Sequence, residues 1–195
     1  MASKTFPDNS LAALRFSKIV AFRVRQNLSA GGAVEPYDVT VQSYRLLHEL
    51  QALIAQRGAQ WAEDELQALV VAGLRSDLLE PWVITWHHSP LGFDRSAVQA
   101  YQAKRAGATA GWPDLQLLLR KIDGSPLQLL IELKTDTGSL STVQKQAHEK
   151  IRAAGLSVVT CWGILAVVDA LVDAISGHPL KTAYKHRDAL AGSAG

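Results

Sequence analysis

Apolar residues recur along this chain with two different periods. Leu115, Leu117 and Leu119 alternate with other side chains, and Leu127, Leu129, Ile131 and Leu133 do so again, which is the two-residue period of strands. Asp123-Gly124-Ser125-Pro126 between them is a hairpin turn signal. Elsewhere the spacing is helical. Val41, Tyr44, Leu47, Leu50 and Ile54 form one stripe over Tyr37 to Gln56, with Gly58 beyond its end. Leu66, Val70 and Leu74 line a second helix over 62–75, and further helices are expected over 95–106, Ser141 to Ala154 and Ile164 to Ile175. Trp82 to His87 and Leu156 to Cys161 read as strands, and Ser89-Pro90-Leu91-Gly92 as a turn. Ile19 to Arg25 fits either a strand or a helix, Ser29 to Ala33 reads as a loop, and from Gly177 the composition turns polar and small. This order of elements predicts an α/β fold, a central mixed sheet with helices on both faces.

The hairpin also carries the chemistry. Folding it about Gly124 sets Asp114 opposite Lys134, on the same face as Glu132, because paired residues share a face and the side-chain period is two. A register slipped by one pair sets Asp114 across from Glu132 instead. Either way two carboxylates and an ammonium converge at the end of apolar strands. Adjacent carboxylates raise each other's pKa unless a cation joins them. Mg²⁺ takes oxygen ligands, commonly one or two carboxylates completed by water and substrate phosphate. Two acids and a lysine so placed suit metal-assisted phosphodiester hydrolysis. Read blandly, the same residues are an acid at a strand start and a Glu–Lys pair on a solvated edge.

Composition changes this picture only a little. The 195 residues suit one domain with an appended element, and a 48% apolar fraction is ordinary for a globular chain. No apolar run reaches the roughly 18 residues of a membrane helix, and residues 1–9 lack a secretory layout. The single cysteine, Cys161, lies in a strand pattern and reads as a buried core residue, consistent with a cytoplasmic protein. A formal net charge of +2 announces no nucleic acid by itself. Basic residues do recur at Arg15, Lys18, Arg23 and Arg25, at Lys104 and Arg105, at Lys145 and Lys150, and at Lys181, Lys185 and Arg187. Any of these that border the acid cluster would be placed to hold phosphates. His87 and His88 are strand neighbours and point to opposite faces, so both do not reach one ion; no third ligand stands at zinc-like spacing. Gly31-Gly32 lacks the lysine of a phosphate-binding loop, and no Ser–His–Asp arrangement has a nucleophile elbow.

Several segments then fall into one order: Ala62-Glu63-Asp64-Glu65-Leu66-Gln67, Arg95-Ser96-Ala97 through Lys104-Arg105-Ala106-Gly107, and Ala110-Gly111-Trp112-Pro113-Asp114. They continue with Leu130-Ile131-Glu132-Leu133-Lys134-Thr135, Gly138-Ser139-Leu140-Ser141 with Gln144, and His148-Glu149 through Arg152-Ala153-Ala154-Gly155. Together these resemble the VRR-NUC family of the PD-(D/E)XK nuclease superfamily, from Trp61 to Ile175. Trp112 departs from the smaller or aliphatic residue usual there.

The resemblance implies a restriction-endonuclease-like core at 59–176; outside it, 1–58 reads as a mainly helical accessory extension and 177–195 as a polar tail. It implies a DNA endonuclease using Mg²⁺ or Mn²⁺. Asp114, Glu132 and the Leu133 carbonyl would hold the metal, with Glu63, or Glu65 in its place, added from the helix. Lys134 would position water or stabilise the phosphate, and Gln144 would assist. Locally, Glu63 also suits a first helical turn and Ser141–Gln144 is a capping box. Lys104, Arg105, Lys145 and His88 are the candidate DNA contacts. Similar stand-alone members act as dimeric resolvases, so branched or Holliday-junction-like DNA and a homodimer are expected. The alternative is a binding or assembly factor on the same framework that does not cut.

Overall fold

The two leucine-rich strands pair, but not about the expected centre. A computed structural model describes residues 9–29, 45–53, 63–88, 105 and 109–185 of the chain. In it β2 (Leu115–Arg120) runs antiparallel to β3 (Pro126–Lys134), with Leu115 facing Ile131 and Arg120 facing Pro126. The loop closes through the Lys121 amide on the Ser125 carbonyl (2.9 Å) and the Gly124 amide on the Lys121 carbonyl (2.9 Å). That leaves a three-residue loop with Gly124 left-handed at φ 83°, a common hairpin closure in which the last position needs positive φ. Asp123 locks it by accepting from the Ser125 amide and hydroxyl. The hairpin is therefore centred on Asp123, and continuing the register puts Asp114 level with Glu132. The expected pairing of Asp114 with Lys134 is off by one pair.

The remaining strands complete a five-stranded mixed sheet of order β1-β2-β3-β4-β5. β1 (Val83–His88) is antiparallel to β2, whereas β4 (Ser157–Trp162) is parallel to β3, and β5 (Ala183–Lys185) is parallel to β4. β5 falls where only a polar tail is expected from Gly177 onward. Three residues give too short a pattern to read. Tyr184 supplies the anchor: its ring is buried and its hydroxyl donates to Asp173 Oδ2 at 3.0 Å.

Five helices are described. α1 (Asn9–Ser29) settles the ambiguity over Ile19 to Arg25 in favour of helix. Its buried apolar residues, Ala12, Ala13, Phe16, Ile19, Val20, Ala21 and Val24, recur at helical spacing and make one broad stripe. α2 covers residues 45–53, within the helix expected over Tyr37 to Gln56, the rest of which lies outside the described residues. α3 spans Glu63–Leu74, α4 Thr142–Ala153 and α5 Gly163–Ser176. The helix expected over 95–106 lies outside the described residues apart from Arg105, which is helical.

Helices cover both sheet faces, the arrangement expected of this α/β class with an N-terminal helical element. On one face Leu115, Leu117, Leu119, Leu129, Ile131, Leu133, Val159 and Cys161 pack against α1, α3 and α5 in a single core. Cys161 is buried there, as expected, and burial drives its thiol far above the usual range. On the other face a smaller cluster of Leu130, Ile151 and Val158, with Trp112 and Leu156, seats α4. β3 is thus buried on both faces from Leu129 to Lys134. No helix among the described residues is long and apolar enough to cross a membrane.

α1 is held as a core layer. Phe16 is fully buried and lies against Gly73 of α3, Arg23 pairs with Asp169 of α5, and Asn27 donates to Ser176 at 2.7 Å. Truncating Phe16→Ala is expected to cost about 3–5 kcal/mol of global stability. A urea titration checks this; a loss under about 1 kcal/mol would mean that α1 is only appended to the core.

Candidate active site

β3 ends in Glu132-Leu133-Lys134, where the two-residue period sends Glu132 and Lys134 to the α4 face and Leu133 to the main core. Glu132 is fully buried, and Lys134 is nearly so at 4% exposure. A carboxylate without water needs a cation, and Lys134 Nζ supplies it at 2.8 Å from Glu132 Oε1. The same ammonium meets both Glu63 carboxylate oxygens at 3.2 Å. Of the helix acids, Glu63 therefore reaches the cluster, from the first turn of α3. Burial works against the charge on Lys134, but its contacts with Glu132 and Glu63 outweigh this and raise its pKa. The side chain is a fixed cation.

Asp114 joins from the residue before β2. Its Oδ2 accepts from the Leu133 amide at 2.7 Å, tying the start of one strand to the end of the next. Burial, and then the neighbouring Glu132 charge, push its carboxyl up to about 6, against the opposing pull of the Leu133 amide and Lys134. The approach to Asp114 depends on Gly111. That residue has φ 77°, and a Cβ there would come within 2.7 Å of the Val143 carbonyl oxygen in α4. The close approach brings the chain before Asp114 against the start of α4.

α4 supplies two further groups. Ser141 caps it, accepting from the Gln144 amide at 3.2 Å, while Gln144 Oε1 accepts from the Ser141 amide at 2.9 Å. The capping box uses the Gln144 oxygen, which leaves its amide nitrogen to donate to Glu132 Oε1. The capping box and the contact with Glu132 thus coexist. One turn on, His148 is 1% exposed, with Nε2 3.6 Å from Glu132 Oε2. His148 was not anticipated as a site residue. The available signal is the spacing Gln144, His148, Ile151, which puts all three on one helical face.

The other candidates separate. His88 faces Leu115 across β1 and β2, so it stands at the sheet end beside Asp114, and it is exposed. Its ring stacks on that of His87 with centroids 6.4 Å apart. Lys145 is exposed on α4 and Arg105 is exposed, while Lys104 lies outside the described residues. Two basic residues noted in α1 are engaged elsewhere: Arg15 pairs with Glu49 at 2.8 Å, and Arg23 with Asp169. A cleft of about 440 Å³ between α1 and α2 is lined by Arg15, Lys18, Arg25 and Arg45 with Phe22 and Glu49; it shares no residue with the acid cluster.

Asp114, Glu132 and Glu63 present carboxylate oxygens, and Glu132 Oε2 is buried without a hydrogen-bond partner. Oxygen ligands of this kind are what hard divalent cations take. Among the described residues, no group of three or more His, Cys, Asp or Glu side chains is arranged as a ready-made metal cage.

No protein-family model matches the chain, and no curated protein does. One solved structure, described as "VRR_NUC domain protein", is 25% identical over 66% of this chain and 100% of that one, with a TM-score of 0.47.

Two measurements test the site's electrostatics and its frame. The raised Asp114 pKa means that the native state keeps a proton which the unfolded chain has released, so metal-free stability falls as pH rises from about 4 to about 6 and then levels. Asp114→Asn is expected to lack that slope in melts run across the range; parallel profiles would place the carboxyl in water. Gly111→Ala should cost about 1–3 kcal/mol in chemical denaturation, because both its φ and the Val143 carbonyl oppose a side chain.

Proposed function

We propose that this chain is a Mg²⁺- or Mn²⁺-dependent DNA endonuclease of the VRR-NUC kind. The observation that carries the reading is the buried Glu132–Lys134 pair at 2.8 Å, with Asp114 bonded to the intervening Leu133 amide at 2.7 Å. A buried ion pair is a weak source of stability, and well-packed apolar residues would serve the core as well or better. Its place at the carboxyl end of β3 and β4, where α/β sheets bind their ligands, supports a functional role.

Asp114, Glu132 and the Leu133 carbonyl would hold the cation, with Glu63 at its margin. The bound metal would supply an activated water and neutralise charge on the phosphate. The chain's own groups divide the remaining work. Lys134, with its raised pKa, stays protonated at working pH, so it does not serve as the base; it offers a point charge to the phosphate oxygens. Gln144 holds one Glu132 oxygen by its amide, which fixes the carboxylate plane. Asp114, with a carboxyl near 6, gives up its proton readily once a cation arrives. His88, Lys145, Arg105 and Lys104 would contact the DNA backbone. For the substrate we favour branched DNA cut by a homodimer, whose two-fold axis suits a symmetric junction; this finer reading leans on the resemblance of the motifs.

A second reading, a DNA-binding or assembly factor that does not cut, draws on the lack of a ready-made metal cage among the described residues. Labelled four-way junction, flap, nicked, duplex and single-stranded DNA, incubated with Mg²⁺ or Mn²⁺, separates the two. Wild type should cleave, while Asp114→Asn and Lys134→Ala should each be slower by about 100-fold or more. DNA binding without cleavage of any substrate would favour the second reading. Equal cleavage by both variants would put the active site elsewhere.

A further inference from the structure

Four buried polar atoms on the α4 face of the sheet lack a hydrogen-bond partner: Glu132 Oε2, both ring nitrogens of His148, and Thr160 Oγ1. They are neighbours by construction. Thr160 is the register partner of Glu132 across the parallel β3–β4 pair, so the two share a face. His148 approaches that face from α4, where Gln144 on the same helical stripe already donates to Glu132 Oε1. Apolar residues seal the space below, with Leu130, Val158 and Ile151 packed one step further along. Buried polar groups are nearly always satisfied, and leaving one unpaired is costly. An imidazole carries one donor and can offer it from Nε2, which lies 3.6 Å from Glu132 Oε2, within a few tenths of an ångström of hydrogen-bond reach.

We infer that His148 is a positioning residue for Glu132, donating from Nε2–H to Oε2. The carboxylate is then held at three points: Lys134 and Gln144 on Oε1, and His148 on Oε2. Lys134 and Gln144 restrain one oxygen, and a donor on Oε2 adds a restraint at the other, so that both ends of the carboxylate are held. The consequence rests on the metal reading proposed above. A ligand carboxylate held in advance binds its ion more tightly, and removing such a supporting contact typically weakens metal binding by about 10–100-fold. No contact between His148 and substrate is implied, since the ring is sealed under α4.

The test has a metal-free arm and a metal arm. In EDTA, unfolding of wild type, His148→Leu, Glu132→Gln and the double variant forms a cycle. A direct contact should appear as about a tenfold departure from additivity in the unfolding equilibrium. In the second arm, calorimetry measures Mn²⁺ affinity of wild type, His148→Leu and His148→Gln. Leucine should weaken binding by at least about tenfold, and glutamine, which keeps a neutral N–H donor, should restore most of it. Additive unfolding, or wild-type Mn²⁺ affinity in His148→Leu, would overturn the inference. Coupling in the cycle with no Mn²⁺ binding by wild type would uphold the contact and instead sink the metal reading.

Discussion

Glu132 sits in the middle strand of the sheet, covered on both faces and fully buried. A carboxylate in that position must be neutralised or paired, because its desolvation costs several kcal/mol. Lys134, two residues along the same face, is the shortest covalent route to a cation. The rest of the site follows from this pairing. The ammonium draws in Glu63 and so orients the first turn of α3. The amide between the pair fixes Asp114, and Gln144 of α4 donates to the same Glu132 oxygen as the lysine. Each acid of the cluster touches either the lysine or the backbone beside it.

The sheet topology explains why these groups meet at all. An antiparallel hairpin brings the start of β2 beside the end of β3, which places Asp114 level with Glu132. A parallel crossover then returns the chain through α4 to β4, laying the helix over the same strand ends. The left-handed turn at Gly111 lets the loop before Asp114 touch the backbone of α4. Hairpin, crossover and loop therefore converge at one end of β3. The opposite end, at Pro126, carries only a tight turn.

α1 and β5 show how far the frame extends beyond the motif-bearing segment. α1 packs its broad apolar stripe on α3 and α5, and so backs the helix that carries Glu63. β5 widens the parallel half of the sheet beside β4, held by Tyr184 through Asp173 and the Lys181 amide. Lys185 lies over the Trp162 ring at 4.3 Å, and Trp162 in turn donates to the Gly138 carbonyl at 2.7 Å. Those contacts brace the turn that follows Lys134.

Much of this was legible in the chain itself. Alternating leucines marked β2 and β3, a helical stripe marked α3, helices were expected where α4 and α5 lie, and the acids with Lys134 stood out because charge interrupts an apolar strand. Periodicity decides which face a side chain takes, and that is a local property. It leaves the register open, because an alternating strand looks the same after a shift of two residues. The Lys121–Ser125 closure and the left-handed Gly124 chose the register. The three residues of β5 were too few for a period, and Tyr184 shows its purpose only against Asp173. His148 reads as an ordinary helical histidine until α4 lies across β3. Partners distant in sequence are selected by packing, so the sequence pattern names the faces and the tertiary structure decides which groups meet across them.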